Sequence, residues 1–494
     1  MMDNQDLFEE LALNVQMFKN IFENDDTFTI RYVRNIRRSD LECCLLLIDG
    51  MVKKEIVEEA VVKPIIKGTV TSRFANIIEY LEESLVAASR VEKAKNVKRL
   101  VKAIVRGDAV LLAEGASEAL IVDSKGWKSR PITEPESEKV IRGPREGFTE
   151  PLLINLSLIR RKLETPNLKF KFMTLGVQTQ TKICVCYLEG IVNPGILKEL
   201  YGRLQNIHMD SILDSGYIQE MICDSPLSPF KTVGSTERPD VVAGKILEGR
   251  VAVLVDGTPV ALTVPHLFIE DFQANEDYYI NFYYSSIGRM LRILGFIISI
   301  SIPAVYVALL TFHQEMVPTP LLLSISAARQ GVPFPTIVET ILLLLIFEIL
   351  RETGIRMPSN IGQALSIVGA LVLGQASVEA KIVSASVVIV VATTGITGLM
   401  IPKIKSVTII MRGILLLLSA FIGLYGFTFG IVCILLHLCQ LRSFGVPYLT
   451  PVISYDPESH VDTAIRMPWW YMKFRPEFLA GKNFIRQSTE RKKT

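Results

Sequence analysis

Near Ser286 the chain changes the solvent it is built for. Before that point short apolar runs alternate with charged stretches, as in a water-soluble α/β protein. From Leu291 to Leu438 apolar residues dominate, in runs long enough to enter a bilayer. The boundary therefore calls for a soluble module over residues 1–285 joined to a bundle of apolar helices. That combination excludes most enzymes and most simple transporters. The mean hydropathy of +0.34 and the 49% hydrophobic content are high for a soluble chain of 494 residues, and the excess lies beyond the boundary.

The formal net charge of +2 points to no particular partner, but local charge is more informative. Residues 443–494 form a basic tail, with Arg466, Lys473, Arg475, Lys482, Arg486, Arg491, Lys492 and Lys493 set against Glu477 and Glu490. A basic stretch just past the last apolar segment predicts a cytosolic end; a disordered solubilising tail is compatible with it. Residues 1–11 are acidic and lack the basic and apolar regions of a signal peptide, so the soluble module is expected in the cytosol. None of the seven cysteines is in C-x-x-C spacing, which predicts buried, reduced thiols.

The soluble half reads as a duplication. CCLLLIDG ends an apolar strand at Asp49-Gly50, and CVCYLEG does so at Glu189-Gly190; each is followed by a helical pattern. Later, AVLLAEGASEALIV and VAVLVDGTPVALTV each break at an acidic-Gly pair, a hairpin signal. The interval from Gly50 to Gly115 is 65 residues and that from Gly190 to Gly257 is 67. Two related α/β subdomains are expected, over 1–145 and 146–285. Between them, 129–152 is rich in Pro, Gly and alternating charge. Glu134, Glu138 and Arg142 there favour a salt-bridged connection over catalysis. Thr236 or Asp240 is expected to cap the helix that follows.

Chemical motifs are missing. The five histidines (His208, His266, His313, His437, His460) never reach metal-binding spacing, and no nucleophile elbow, P-loop or dinucleotide fingerprint occurs. No catalytic residue, metal or cofactor is expected. Basic patches interleaved with aromatics are absent, so nucleic acid is not expected either.

Residues 286–442 form an all-α polytopic membrane domain with five apolar segments, at 290–312, 335–350, 361–375, 382–401 and 413–438. The first, fourth and fifth reach the roughly 20 residues needed to cross a bilayer, and Pro303 should kink the first. Lobes and basic tail on one side require an even number of crossings. Lys403, Lys405 and Arg412 mark a further inside loop, so four crossings are expected, with one short segment failing to cross. Glu348 and Arg351 are three apart and are expected to pair; Glu339 has no local partner and faces either another helix or a pathway. In the third segment Gly362, Ser366, Ala370 and Gly374 recur every fourth residue, a ridge that brings helices close. Packing explains the glycines. It does not explain Gln363, Ser366, Gln375 and Glu379, so this segment, Ala370 included, is the candidate pore or gate. Asp277, Tyr278, Tyr279, Arg289 and Arg292 straddle the boundary as candidate coupling residues.

These residues resemble a known family, the A subunits of bacterial spore germinant receptors (the GerA family). The resemblance rests on TEPESEKVIRGP (133–144), SPF (228–230), TERPD (236–240), GRVAVLVDGTP (249–259), DYY (277–279), FHQ (312–314), VPFP (332–335), LRETGIRMP (350–358), GQASVEAKIVS (374–384) and SFGVPY (443–448). It implies a multi-pass protein of the spore inner membrane that works with a permease-like B subunit, which binds nutrient germinants, and a lipoprotein C subunit. It also implies a homo-oligomeric ring whose membrane part conducts ions when germinant binds. A non-conducting scaffold, or a family branch that assists dipicolinate and ion release without sensing nutrients, are the alternatives.

Overall fold

Two five-stranded antiparallel sheets with the same non-sequential strand order make up the soluble half. The structure is a computed structural model that describes residues 5–38, 41–68, 77–82, 91–126, 138, 140–356, 369, 372–453, 461–481 and 483–487. In the first lobe β1 (Phe28–Arg34), β2 (Glu42–Ile48), β3 (Val91–Ala94), β4 (Ala109–Ala113) and β5 (Ala119–Val122) are ordered β1-β2-β4-β5-β3. In the second, β6 (Leu168–Leu175), β7 (Thr181–Leu188), β8 (Gly234–Thr236), β9 (Val251–Val255) and β10 (Ala261–Val264) are ordered β6-β7-β9-β10-β8.

Each lobe is a three-layer sandwich, because its central strands carry apolar side chains on both faces. Cys43, Leu45 and Leu47 of β2 pack against the helical segment around Val57–Val62, while Cys44, Leu46 and Ile48 pack against the helices Leu11–Ile21 and Val97–Val105. In the second lobe Ile183, Val185 and Tyr187 face Pro194–Gln205; Cys184, Cys186 and Leu188 face Leu152–Lys162 and Pro239–Leu247. Burial on both faces is why these strands read as continuous apolar runs rather than alternating ones. Four of the seven cysteines, Cys43, Cys44, Cys184 and Cys186, are core side chains as expected, whereas Cys223 is half-buried and Cys433 and Cys439 are exposed on Leu424–Gln440. Burial pushes the thiols of Cys43 and Cys44 up to about 12, far from reactivity.

The acidic-Gly signature has a defined job. Gly115 and Gly257 take positive φ (76° and 90°) in the β4–β5 and β9–β10 hairpins. The acidic neighbour then accepts the first N–H of its own lobe's leading helix: Glu114 from Leu11 at 3.0 Å, Asp256 from Leu152 at 2.9 Å. A second repeated device appears inside those helices. The Asn14 side chain bonds both backbone groups of Phe8, and Asn155 does the same with Thr149, six residues back in each lobe. Two independent hydrogen-bond devices at matching places make these subdomains structural repeats.

The lobes meet through a buried ion pair. Arg160 is fully buried and donates to Asp25 at 2.6 Å while lying 4.5 Å over the Phe170 ring. Asp26 N–H reaches Phe170 O, and the Asp26 carboxylate accepts from Phe172 N–H at 2.8 Å. In the connecting stretch Glu138 is structural, accepting from Thr236 Oγ1 at 2.6 Å and Glu237 N–H; Glu134 lies outside the described residues. Neither Thr236 nor Asp240 caps Pro239–Leu247 as expected. Thr236 Oγ1 accepts Arg238 N–H before that helix begins, and Asp240 receives the Arg238 guanidinium.

The apolar half differs from its sequence reading in three ways. The helix that begins it starts earlier, at Phe282, capped by Asn281 Oδ1 on Tyr283 N–H at 3.0 Å, and runs through Pro303 to Phe312. The 335–350 segment is a longer helix of 21 residues, Thr336–Arg356. The stretch 413–438 is not one segment but parts of two helices, Lys405–Ile422 and Leu424–Gln440, broken at Gly423 with φ 68°. A Cβ at Gly423 would stand 3.0 Å from that of Phe312, so the turn is also tightly packed. Arg412 consequently sits inside a helix, buried, and not in a loop. By length and composition, among the described residues, only Phe282–Phe312 and Pro402–Ile422 are long and apolar enough to cross a membrane. Thr319–Ala328, Ala385–Leu399 and Leu424–Gln440 are shorter apolar helices.

Contacts order the helices end to end. Lys403 Nζ donates to Gln273 O, and His437 Nε2 lies 2.8 Å from Ser228 Oγ, so these residues stand at the lobe end. Gly423 beside His313, Lys381 beside Gly331, and Glu339 beside Ser384 stand at the far end.

Candidate functional site

Where the second lobe meets the bundle, five sequence-selected residues converge. Asp277 is 1% exposed, held in a short 3-10 turn (Asn275–Tyr278) where its own carboxylate accepts Ala274 N–H. Arg289 and Arg292, three residues apart on the first turns of Phe282–Phe312, share a helix face. Arg289 Nε donates to Asp277 Oδ2 at 3.0 Å, and Arg292 donates to both carboxylate oxygens at 2.7 and 2.9 Å. Tyr278 lies under Arg289, guanidinium 5.2 Å from the ring centroid, and Tyr279 donates to Asp240 Oδ2 at 2.9 Å, tying the turn back to the lobe.

The sequence reading missed the partner that closes this network. Asp462, from the C-terminal segment, accepts from Arg289 at 2.6 Å and from Tyr278 Oη at 2.7 Å. Arg466 is buried and donates to Ile280 O, while its N–H reaches Ser286 Oγ. Further on, Ala480 bridges to Val192, Gly481 N–H donates to Ile191 O, and Leu479 is fully buried. The described part of the basic tail is thus a strap across lobe and joint rather than a loose appendage; Lys482, Arg491, Lys492 and Lys493 lie outside the described residues.

Beneath the joint, Phe268, Phe272 and Phe296 pack edge-on with ring centroids 5.1 and 5.5 Å apart, wedging the lobe into the bundle. Next to them is a buried charged cluster, which sequence reasoning also missed. Glu270 accepts from Arg250 at 2.8 Å and lies 3.0 Å from Lys245; His266 reaches Asp271 at 3.1 Å and Glu270 at 3.4 Å. The only signal for it was the Glu270-Asp271 pair inside an otherwise apolar run.

Burial pushes Glu270 up, but Arg250, Lys245 and His266 outweigh it and hold its carboxyl well below the usual range. Burial pushes His266 down, yet Asp271 and Glu270 raise it above its ordinary value. A depressed carboxylate gives stability that is present at neutral pH and lost as pH falls through its folded-state value. A raised histidine gives stability present below its unfolded value near 6.5 and lost as pH rises through the folded one. The joint should therefore be most stable between the two. Thermal unfolding of the detergent-solubilised protein across pH should show both flanks. His266→Gln should flatten the alkaline flank and also move the acid flank to higher pH, because His266 helps to hold the Glu270 carboxyl down.

Within the bundle Glu348 bonds Arg351, as its spacing predicts, and also Arg412 of Lys405–Ile422. Glu339 is fully buried; it accepts from Arg329 at 3.3 Å and from the leading N–H of Ala385–Leu399, at Ser384, at 3.0 Å. Its partner is thus the preceding turn plus another helix's N-terminus. Of the pore candidates, Gln363, Ser366 and Ala370 lie outside the described residues. Gly374 packs toward Val388, while Gln375 and Glu379 are exposed and hydrogen-bonded to each other at 2.9 Å. Among the described residues no group of three or more His, Cys, Asp or Glu is placed to hold a metal ion.

A twin-lobed α/β module keyed by buried charge into an apolar helical bundle defines the class: a membrane subunit with a large soluble portion. The chain belongs to the Bacillus/Clostridium GerA spore germination protein family, whose model matches residues 16–478. It is 41% identical to spore germination protein KA of Bacillus subtilis (strain 168), over 98% of this chain and 89% of that protein. To an uncharacterized membrane protein of the same organism, YfkQ, it is 40% identical over 87% and 84% of the two chains. To spore germination protein GerLA of Bacillus cereus it is 38% identical over 94% of each. Among solved structures, the N-terminal domain of the A subunit of the Bacillus megaterium spore germinant receptor GerK3 matches 54% of this chain and 98% of its own, at 32% identity and a TM-score of 0.43.

Proposed function

We propose that this chain is the A-type subunit of a nutrient germinant receptor complex, with no catalytic step of its own. In this reading it assembles with copies of itself, a permease-like B subunit and a lipoprotein C subunit in the spore inner membrane. Germinant binding to the B subunit opens an ion path through the bundle. The observation that carries the reading is the joint. Asp277, Arg289, Arg292 and Asp462 fix the second lobe to the first turns of the Phe282–Phe312 helix, so displacement of a lobe moves that helix.

The helix order supports a multi-pass arrangement with an even number of crossings. The chain enters the bundle at Asn281 beside the second lobe, and after Gln440 its C-terminal segment packs on that same lobe. Splitting 413–438 at Gly423 turns five apolar segments into six, so an even number no longer requires one segment to fail to cross. Both lobes and strap then lie on the cytosolic side.

A non-conducting scaffold is the second reading. It is favoured by the intramembrane charges, since Glu339 and Glu348 are committed to arginines. Ion release from liposomes holding this chain, with and without its B-type partner and germinant, separates the two. Conduction predicts germinant-dependent flux that bulky replacements of Ser366 or Ala370 reduce without loss of assembly. An assembled complex that never conducts leaves the scaffold.

A further inference from the structure

The C-terminal strap carries a feature that the joint does not use. Trp469–Tyr471 forms a 3-10 turn whose aromatic side chains lie beside the first turn of the Phe282–Phe312 helix. Phe282 meets Trp470 edge-on at 6.1 Å between centroids and lies tilted against Tyr283 at 4.0 Å. The Trp469 indole lies 6.0 Å from Tyr278, with the guanidinium groups of Arg466 and Arg486 at 5.3 and 5.6 Å from its ring. Despite these contacts the outer surface stays open: Tyr283, Tyr284 and Tyr471 are about two-thirds exposed.

The exposed surface of the helix changes character within two turns. After Tyr283 and Tyr284 come Ile287, Met290, Leu291, Leu294 and Ile297, each about half exposed and all apolar. At 1.5 Å per residue, Met290 lies roughly 10 Å beyond Tyr283 along the axis. A band of Tyr and Trp at the foot of an apolar strip is the arrangement that membrane–water boundaries select, because these rings have an apolar body and one polar handle.

We propose that the Trp469–Tyr471 turn and Tyr283–Tyr284 together form a lipid-docking surface seated in the headgroup layer of the bilayer. The occupant is a phospholipid surface rather than a protein, for two reasons. The patch is continuous with the apolar strip of the helix that enters the bundle first. The strap around it is basic as well: between Arg466 and Gln487 it has five Lys or Arg and one Glu, a charge suited to anionic headgroups. The strap is then held at three places, by the second lobe, by the charged joint and by the membrane. The inference rests on the membrane-subunit reading but not on conduction.

The chain has three tryptophans, Trp127, Trp469 and Trp470, so Trp127→Phe leaves emission from the strap alone. The full-length W127F protein is reconstituted in phosphatidylglycerol-containing vesicles with lipids brominated near the headgroup or deep in the acyl chain. Shallow bromine should remove about half of the emission, and deep bromine much less. Emission that ignores both lipids but is quenched by aqueous iodide overturns the proposal, because the turn is then in water. Emission indifferent to lipid and iodide alike, with Tyr471→Cys cross-linking between copies, also overturns it, because a second copy then covers the patch. Should W127F fail to fold, a spin label at Tyr471→Cys, with the accessible Cys223, Cys433 and Cys439 replaced by Ala so that no other accessible thiol is labelled, separates the same outcomes. Greater access to oxygen than to a water-soluble nickel complex supports docking; the reverse overturns it.

Discussion

Asp277→Asn should lower the stability of the intact protein by about 3 kcal/mol, the scale for leaving buried charge without its partner. The substitution keeps the shape of the side chain and removes the one charge that faces two guanidinium groups. Arg289 is 1% exposed, so water cannot replace the lost partner there, although Asp462 still holds its other end. Burial raises the Asp277 carboxyl, but Arg292 and Arg289 hold it below the usual range, so the group is ionised in the folded joint at neutral pH. Tyr278→Phe, which removes one hydrogen bond to Asp462, should have a smaller effect of about 1 kcal/mol. Thermal unfolding in detergent ranks the two, and germination of spores carrying each variant tests coupling. If Asp277→Asn leaves both stability and germination unchanged, the joint is only a tether.

Arg160→Ala should destabilise by a similar amount, about 3–5 kcal/mol, through the contact between lobes. Asp25 would be left buried without its partner beside an apolar cavity. The diagnostic variant is the double replacement Arg160→Met with Asp25→Leu. Apolar groups of similar volume often equal or exceed a buried pair, so the double variant should regain most of the stability that the single one loses. A double variant as unstable as Arg160→Ala would mean that the packing of Phe170, rather than the charge pair, holds the lobes together.

What the sequence revealed follows the range over which its signals act. The acidic-Gly pairs, the apolar runs of β2, β4, β7 and β9, and the Glu348–Arg351 spacing are local, and the structure places each in a definite role. The cluster at 277–292 was legible because charged residues next to an apolar segment stand out. Asp462 was not legible, since it meets Arg289 across 173 positions of chain, and Arg412 meets Glu348 across 64. The helical hairpin was hidden for a different reason. Hydropathy registers composition, and Gly423-Leu424-Tyr425-Gly426 is as apolar as the helices on either side; only the positive φ at Gly423 breaks the run.

The strap also fixes an order of assembly. Asp462 leaves the ribosome about 170 residues after Arg289, when the whole of the intervening bundle has already been made. Until then Arg289 has only Asp277, and Tyr278 lacks its acceptor. With the proposed even number of crossings, closure of the joint reports that the last helix has emerged and that the chain has returned to the side from which it started. On that proposal, a chain whose bundle is inserted with the wrong parity would place Asp462 across the membrane from Arg289 and could not close the joint. The same buried ions that join lobe to bundle would then serve as a check on topology.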